Sequence, residues 1–358
     1  MDASKMFRTY IGTYAEEGEE SIFLAHLNPA SGEMKKVKGF RGGKKPSYMS
    51  IDLSSLLLFA VNEQEDFEGI AQGAVSSFRI HPADGILERI SHIPSHGKLP
   101  VFCLFLSDER ILFIANYTTG NIVSFFVDEK SNLGAPLDVV QHQGSGPDPE
   151  RQASAHTHQL VLSPDRRFLF VVDLGLDEIR RYSLSDGRII KNSDPVAFPT
   201  RPGWGPRHFV FHPFLQRAYL VHEIEPMVSV LSYDPASGKF EELDSLPTIP
   251  EGFSKDNKCG AILLSPEGEH LYVSNRGHDS IAVFSVNQKN GKLNLIRNQS
   301  SKGSWPRDFA LDPNGTTLVV ANQRSNEVVV FSRDVKTGRI HPASFSLDID
   351  QPVFVKII

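Results

Sequence analysis

The chain has 358 residues, of which 40% are hydrophobic and 22% are charged, and its formal net charge is −6. This length suits one large or two ordinary domains, and the lack of a basic excess predicts that nucleic acid is not a partner. No apolar run reaches the ~20 residues that cross a bilayer, and the stretch MDASKMFRTYIGTY lacks the apolar core of a secretory signal. We therefore expect a cytoplasmic protein with no membrane partner, in which Cys103 and Cys259 are buried thiols without a disulfide.

One phrase recurs along the whole chain. An apolar strand is followed by a turn such as SPDRR, SPEGE or DPNGT, then by a second apolar strand with a polar end, a third strand of the form x-V-x-V-F and a weaker fourth strand. The N-terminus supplies only three strands of such a unit, in RTYIGTY, SIFLAHLNPASG and EMKKVKGF. The first strands begin near seven positions that lie 46 to 57 residues apart: Ser47, Val101, His158, Arg207, Gly260, Arg307 and Val353.

Four short strands per unit at this period predict an all-β fold, a seven-bladed β-propeller with four-stranded antiparallel blades. The C-terminal strand (residues 352–358) has the right pattern to pair with the N-terminal blade and close the ring. We expect residues 1–358 to form a single domain that is sufficient as a monomer. The insert QHQGSGPDPERQASA (residues 141–155) is typical of a long loop before blade four.

Polar side chains collect at two positions of the repeat. In a propeller blade, the start of the first strand and the end of the second lie on the same face around the central channel, so side chains there converge. The second strands end in mostly polar residues: Glu63, Asn116, Asp173, Glu223, Asn275 with Arg276, and Asn322 with Gln323. Two alternatives stay open, since Asn116, Asp173 and Asn322 could simply form turns and the arginines could join neighbouring blades in salt bridges.

The predicted channel mouth carries charges that suit a small anionic ligand. It combines arginine with histidine and glutamate, and guanidinium groups bind carboxylate or phosphate bidentately. His156 and His158 would share one face of a strand, a spacing common in metal sites, but the sequence offers no second histidine pair and no cysteine ligand to complete a site. We expect no metal and no cofactor. His208 is expected to point away from Arg207 and to pack.

Six stretches carry a family resemblance: YIGTY, FAVNE, HTHQLVLSPDRRFLFVVDLG, GPRHFVFHP, YVSNRGHDSIAVF and WPRDFALDPNGTTLVVANQ. They resemble the seven-bladed lactonase family, which includes the propeller-type 6-phosphogluconolactonases of bacteria and the fungal 3-carboxy-cis,cis-muconate cyclases. The resemblance covers essentially the whole chain and implies four catalytic residues at the channel mouth: His158, Arg207, Glu223 and Arg276. The residues that we expect to bind substrate are Glu63, Asn116, His156, Asp173, Asn275, Arg307 and Gln323.

The resemblance implies hydrolysis of a sugar lactone, with 6-phosphogluconolactone as the substrate and His158 or Glu223 as the base. Arg207 or Arg276 would hold the developing oxyanion, and Arg307 would hold the phosphate. Two alternatives remain open: a muconate-type cyclase that closes a lactone on a polycarboxylate, and a non-enzymatic interaction scaffold. The expected partner is therefore a small anionic sugar lactone or polycarboxylate, and a mouth plugged by apolar packing would favour the scaffold.

Overall fold

The computed structural model describes residues 6–190 and 195–358. Its strands, in chain order, are β1 (Phe7–Thr13), β2 (Ile22–Leu27) and β3 (Met34–Phe40); β4 (Pro46–Asp52), β5 (Leu57–Asn62), β6 (Ala74–Ile80) and β7 (Leu87–Pro94); β8 (Pro100–Leu106), β9 (Ile111–Asn116), β10 (Asn121–Val127) and β11 (Leu133–Gln141); β12 (Thr157–Leu162), β13 (Phe168–Asp173), β14 (Glu178–Ser185), β15 (Arg188–Ile190) and β16 (Val196–Pro199); β17 (Pro206–Phe211), β18 (Arg217–His222), β19 (Met227–Asp234) and β20 (Lys239–Pro247); β21 (Lys258–Leu264), β22 (His270–Arg276), β23 (Ser280–Val286) and β24 (Leu293–Ser300); β25 (Pro306–Leu311), β26 (Thr317–Asn322), β27 (Glu327–Arg333) and β28 (Ile340–Asp348); and β29 (Pro352–Ile357).

These strands form seven antiparallel sheets, which are the seven predicted blades. The innermost strands contact one another in the cyclic order β29, β4, β8, β12, β17, β21 and β25, and β25 contacts β29. Blade four departs from the four-stranded pattern, because two short strands share its outer edge. β15 pairs with one end of β14 and β16 with the other, so together they take the place of one fourth strand.

The ring closes where the sequence predicts. β29 pairs antiparallel with β1, placing Val355 opposite Ile11, and the backbones of Arg8 and Ile358 exchange hydrogen bonds of 3.1 and 2.8 Å. Blade one therefore contains both ends of the described chain. Within residues 6–190 and 195–358, we find no helix of the length and apolarity that a membrane span requires.

Hydrophobic side chains fill the spaces between neighbouring blades. Seven core clusters each join two adjacent sheets; one packs Tyr10 of blade one near Phe78 of blade two, and another joins Val319 of blade seven to Val355 in the closing strand. Each blade packs against a neighbour on both of its faces, so its strands carry apolar residues on both faces of the sheet. The two cysteines are buried, free thiols, as predicted.

A β-bulge lies near the start of every inner strand. In β17, Pro206 pairs with His222 and His208 pairs with Val221, so that Arg207 is the extra residue between the two pairs. Comparable register shifts occur in the other six blades. A bulge re-aims the side chain of the extra residue. In six blades the bulged residue places its side chain at the channel, and in blade six the bulge contains Gly260 and Ala261.

Candidate active site

The predicted strand starts converge on the channel axis. A narrow throat of about 20 Å³ is lined by side chains from six different blades, and six of the seven predicted first-strand positions contribute to it: Ser47, Val101, His158, Arg207, Arg307 and Val353. Gly260, the seventh, instead offers its carbonyl oxygen to Arg207 Nη1 at 2.8 Å. The structure therefore brings the first-strand starts together at the channel, whereas several second-strand ends lie outside the pocket.

A polar pocket of about 190 Å³ lies at one end of this throat. It is lined by Glu63, Leu99, Val101, Tyr117, Arg151, His158, Arg207, Glu223, Arg276 and Arg307. All four residues predicted to be catalytic line this pocket, together with two of those predicted to bind substrate, Glu63 and Arg307. Charged side chains dominate the wall, so the mouth of the channel is not filled by apolar packing. This argues against the alternative of a non-enzymatic scaffold.

Glu223 lies at the centre of the pocket and receives three guanidinium groups. Arg207 Nε and Arg276 Nη2 donate to its Oε2 at 2.9 and 2.7 Å, and Arg151 Nη2 donates to its Oε1 at 2.5 Å. Burial opposes ionisation of this carboxyl, but the charges of Arg276 and Arg207, together with that of Arg151, outweigh burial and hold the pKa of Glu223 well below its usual range. Glu223 is therefore an ionised anchor for the arginines.

Arg207 and Arg276 are fixed by backbone as well as by Glu223. Arg276 donates to the carbonyl oxygens of Cys259 at 2.6 Å and Lys258 at 3.2 Å. Burial, and then the charge of Arg276, lower the pKa of Arg207 to about 10, so that it remains a cation near neutral pH. In the described residues, no protein acceptor contacts Arg207 Nη2 or Arg276 Nη1, and these two groups can donate to a ligand.

His158 lies between the pocket and the throat. Its Nε2 is 3.9 Å from Glu223 Oε2, and its ring packs edge-on against Tyr117 and His208 at centroid distances of 5.7 and 5.1 Å. Burial and the neighbouring charge of Arg207 hold the pKa of His158 well below 6.5. The imidazole is therefore neutral near pH 7, and within the described chain its Nδ1 has no hydrogen-bond partner.

His208 does not point away from Arg207 as expected. Arg207 Nη1 lies 3.2 Å from His208 Nδ1, and the His208 ring lines the throat. Simple alternation along a strand predicts opposite directions for consecutive side chains, but the bulge at Arg207 breaks the alternation. The prediction for His208 was wrong because the bulge was not visible in the sequence.

Arg307 and Glu63 form a second charged pair across blades seven and two. Arg307 Nη2 donates to Glu63 Oε2 at 3.1 Å, and the hydroxyl of Tyr14 donates to Glu63 Oε1 at 2.6 Å. The guanidinium of Arg307 also stacks over the Tyr14 ring at 4.8 Å. Tyr14 was missed in the sequence, although it occupies in blade one the same repeat position as Glu63 in blade two.

Near the end of the second strands, neighbouring residues have different roles: one is buried at the corner of the blade, and the next lies at the pocket. In four blades the residue just after a buried corner residue lines the pocket: Glu63 follows Asn62, Tyr117 follows Asn116, Glu223 follows His222, and Arg276, the last residue of β22, follows Asn275. Tyr14, which follows the buried Thr13, contacts Glu63. Applied to every blade, this offset is the signal that could have identified Tyr14 and Tyr117.

The structure does not bring the other predicted substrate-binding residues into the pocket wall. Asn116 and Asn275 donate to the carbonyl oxygens of Ser95 and Thr248 at 3.2 and 2.9 Å, which holds the preceding loops at the blade corners. Asp173 accepts from the backbone nitrogen of His156 at 2.8 Å and contacts His142 Nδ1 at 2.7 Å. Each of these three side chains is fully buried.

His156 and Gln323 also lie outside the wall. The His156 ring stacks on Tyr117 at 4.4 Å, and its Nδ1 donates to the Tyr117 carbonyl oxygen at 2.9 Å. His156 therefore supports Tyr117 from behind. The backbone nitrogen of Gln323 donates to the carbonyl oxygen of Trp305 at 3.1 Å.

The channel continues beyond the throat into a second cavity of about 340 Å³. Its wall is mainly apolar and comes from the inner strands, with His208 and Asp308 shared between throat and cavity. Burial raises the pKa of Asp308 to about 6, and its Oδ2 accepts from the Val355 nitrogen at 3.0 Å. The two ends of the channel thus differ, one cationic and the other largely apolar.

Side chains that could hold a metal lie elsewhere among the described residues. Glu267, Glu269 and His270 in blade six have ligand-like spacing, but Arg333 already donates to Glu267 and lies 3.0 Å from His270 Nδ1. The Arg333 guanidinium takes the place that a metal ion would occupy between these acceptor atoms.

The fold and the pocket define a β-propeller with a cationic site for a small molecule at one end of its channel. The chain belongs to the Lactonase, 7-bladed beta-propeller family, whose model matches residues 8–357. This confirms the resemblance inferred from the sequence motifs. Membership in this family supports a lactone-hydrolysing enzyme.

Two similar proteins are named as lactonases. The chain is 34% identical over 300 residues to the 6-phosphogluconolactonase of Bacillus subtilis (strain 168), covering 84% of this chain and 83% of the relative. The periplasmic gluconolactonase of Pseudomonas aeruginosa superposes with a TM-score of 0.92 at 32% identity, over 99% of both chains. A Lactobacillus plantarum protein superposes with a TM-score of 0.90 at 30% identity, over 99% of this chain and 100% of the other.

Proposed function

We propose that this protein opens a sugar lactone by hydrolysis, with 6-phosphogluconolactone as the substrate and 6-phosphogluconate as the product. One observation carries the proposal: a neutral histidine, His158, lies beside Glu223 in a pocket where Arg207 and Arg276 keep free donor groups. The family and the name of the Bacillus subtilis relative support the reaction class.

His158 is the base in this proposal. A base must have an accessible lone pair and a conjugate acid that the site tolerates. Both oxygens of Glu223 already accept from guanidinium groups, and protonating Glu223 would oppose its whole environment. His158 is neutral, and the adjacent carboxylate stabilises the imidazolium that forms when it takes a proton.

The reaction then follows from the positions of these groups. His158 takes a proton from water as the water oxygen bonds to the lactone carbonyl carbon, and the carbonyl oxygen becomes an oxyanion. Arg207 Nη2 and Arg276 Nη1 donate to this oxyanion, and fixed donors of this kind stabilise charge that appears only in the transition state. The bond from the carbonyl carbon to the ring oxygen breaks, and the imidazolium returns its proton to that oxygen.

A substrate panel tests the proposal. The protein is assayed with 6-phosphogluconolactone, with gluconolactone and with 3-carboxymuconate, and the spontaneous ring opening is subtracted in each case. We expect the highest kcat/KM on 6-phosphogluconolactone. Lactone formation from 3-carboxymuconate without hydrolysis of either sugar lactone would replace the proposal with the cyclase, and no turnover of any of the three would favour a binding role.

The pH profile provides a second test, because His158 must be neutral to act. Since the pKa of His158 lies below 6.5, we expect kcat/KM to stay level near pH 7 and to fall only well below pH 6.5. Glu223→Gln removes the charge that favours the imidazolium, and should therefore move the acid limb to still lower pH while lowering the rate. Glu65→Gln, an exposed carboxylate variant, is the matched control and should leave the limb in place. An acid limb that shifts upward in Glu223→Gln would contradict the assignment.

A further inference from the structure

The loop between blades three and four carries a pocket residue. Residues 142–156 connect β11 to β12, and the backbone there is held at several points: Gln152 Nε2 donates to the Leu174 carbonyl oxygen at 2.8 Å, and Gly146 N donates to the Gln152 carbonyl oxygen at 2.9 Å. Asp148 Oδ1 accepts from the Arg151 nitrogen at 3.0 Å. Gln152 itself is fully buried. The loop therefore presents Arg151 to the pocket from a fixed base.

Arg151 differs from Arg207 and Arg276, the other two arginines on Glu223, in how it is held. The Arg207 and Arg276 side chains are each 5% exposed and bond to backbone carbonyls, whereas the Arg151 side chain is 26% exposed. Its guanidinium contacts Glu223 Oε1, the oxygen that Arg207 and Arg276 leave unused. If Arg151 turned to a ligand, Glu223 would keep two guanidinium partners, so the exchange would not leave the carboxylate unpaired.

The charges that line the pocket are not balanced. Four arginines face two glutamates, and the neighbouring His158 is neutral. The pocket wall therefore carries a net charge of two positive, although each arginine contacts a glutamate. A phosphate monoester near neutral pH supplies close to two negative charges, and guanidinium forks match its oxygens.

We propose that Arg151 binds the phosphate group of the substrate and thereby gives this enzyme its preference for a phosphorylated over a neutral sugar lactone. This inference rests on the proposed lactonase function and names the substrate class of the same site. It places the phosphate contact on a loop residue and not on Arg307, which is held by Glu63 and stacked on Tyr14.

Selectivity is the readout that tests Arg151. Wild type, Arg151→Gln and Arg307→Gln are compared on 6-phosphogluconolactone and on gluconolactone. We expect Arg151→Gln to reduce the ratio of the two kcat/KM values at least about tenfold, mostly through KM for the phosphorylated lactone, since a charged hydrogen bond to a phosphate is lost. Arg201→Gln removes an equal charge from the exposed surface, where Arg201 pairs with Glu242, and should leave the ratio unchanged.

Calorimetric titration with 6-phosphogluconate and with gluconate separates this inference from the proposed reaction. We expect Arg151→Gln to weaken 6-phosphogluconate binding about tenfold more than gluconate binding. Equal losses for both ligands, no loss for either, or a selective loss only in Arg307→Gln would overturn the role of Arg151. If wild type opened neither lactone, the hydrolysis would be rejected, and the titration would still decide the phosphate contact; binding of neither acid by wild type would reject both.

Discussion

Replacing Arg207 with alanine is expected to lower kcat/KM for 6-phosphogluconolactone by about 10²- to 10³-fold, the size of effect seen when one preorganised oxyanion donor is lost. Arg207 lies in the bulge of β17, is buried, and spans Glu223 and the carbonyl oxygen of Gly260. Glu223→Ala should cost at least as much, because three guanidinium groups would lose their shared carboxylate and repel one another. Steady-state kinetics on the purified variants measure both effects.

Two further variants keep this prediction independent of folding. Arg207→Lys retains the charge but loses the planar fork, so its activity should fall between wild type and Arg207→Ala. Arg339→Ala removes an exposed arginine of blade seven and should behave as wild type. Thermal melting checks that each variant is folded. Unchanged turnover in folded Arg207→Ala and folded Glu223→Ala would end the assignment of this pocket as the active site.

Removing the closing strand is expected to unfold the protein. A chain that ends at Gln351 lacks β29, whose side chains Val353, Phe354, Val355 and Ile357 are each no more than 4% exposed. Burying such a side chain is worth about 1.5–3 kcal/mol, so the total approaches the whole free energy of unfolding of an ordinary domain. Strand β1 would also become an open edge, which promotes aggregation. Soluble yield and thermal melting measure the loss.

Single substitutions in β29 test how much individual side chains of the strand contribute to stability. Phe354→Ala should destabilise by about 3–5 kcal/mol, since it opens a cavity between blades one and two. Lys356→Ala, with an exposed side chain in the same strand, should leave the melting temperature close to that of wild type. A truncated chain that melts like wild type would show that β29 does not hold the ring together.

Much of the fold could be predicted because the same strand pattern occurs several times along the chain. Seven copies of one strand pattern, with the first strand missing at the N-terminus and present at the C-terminus, already define the number of blades and the closing pair. Blade four was the exception, since two short strands, β15 and β16, take the place of its fourth strand. A register shift or a shared edge leaves no clear mark in the alternation of apolar and polar residues.

The site was predictable at the level of repeat position but not at the level of a single residue. Glu63 and Glu223 directly follow a second strand and line the pocket, and Arg276 lines it from the last position of β22. Asn116 and Asp173 also end second strands, but they hydrogen-bond to neighbouring loops and not to the pocket. A shift of one residue reverses the direction of a side chain in a strand. Without the observed register, the two groups look alike.

The sequence by itself determined the seven-bladed ring, its closure and the repeat positions that meet at the channel, because each follows from periodicity along the chain. Only the tertiary structure decided which side chains share a pocket and how their charges are divided. Arg151 reaches Glu223 across 72 positions, and Arg307 reaches Glu63 across 244. Such pairings, and the neutral state of His158 that follows from its burial, exist only once the ring has closed and water has been excluded from the channel wall.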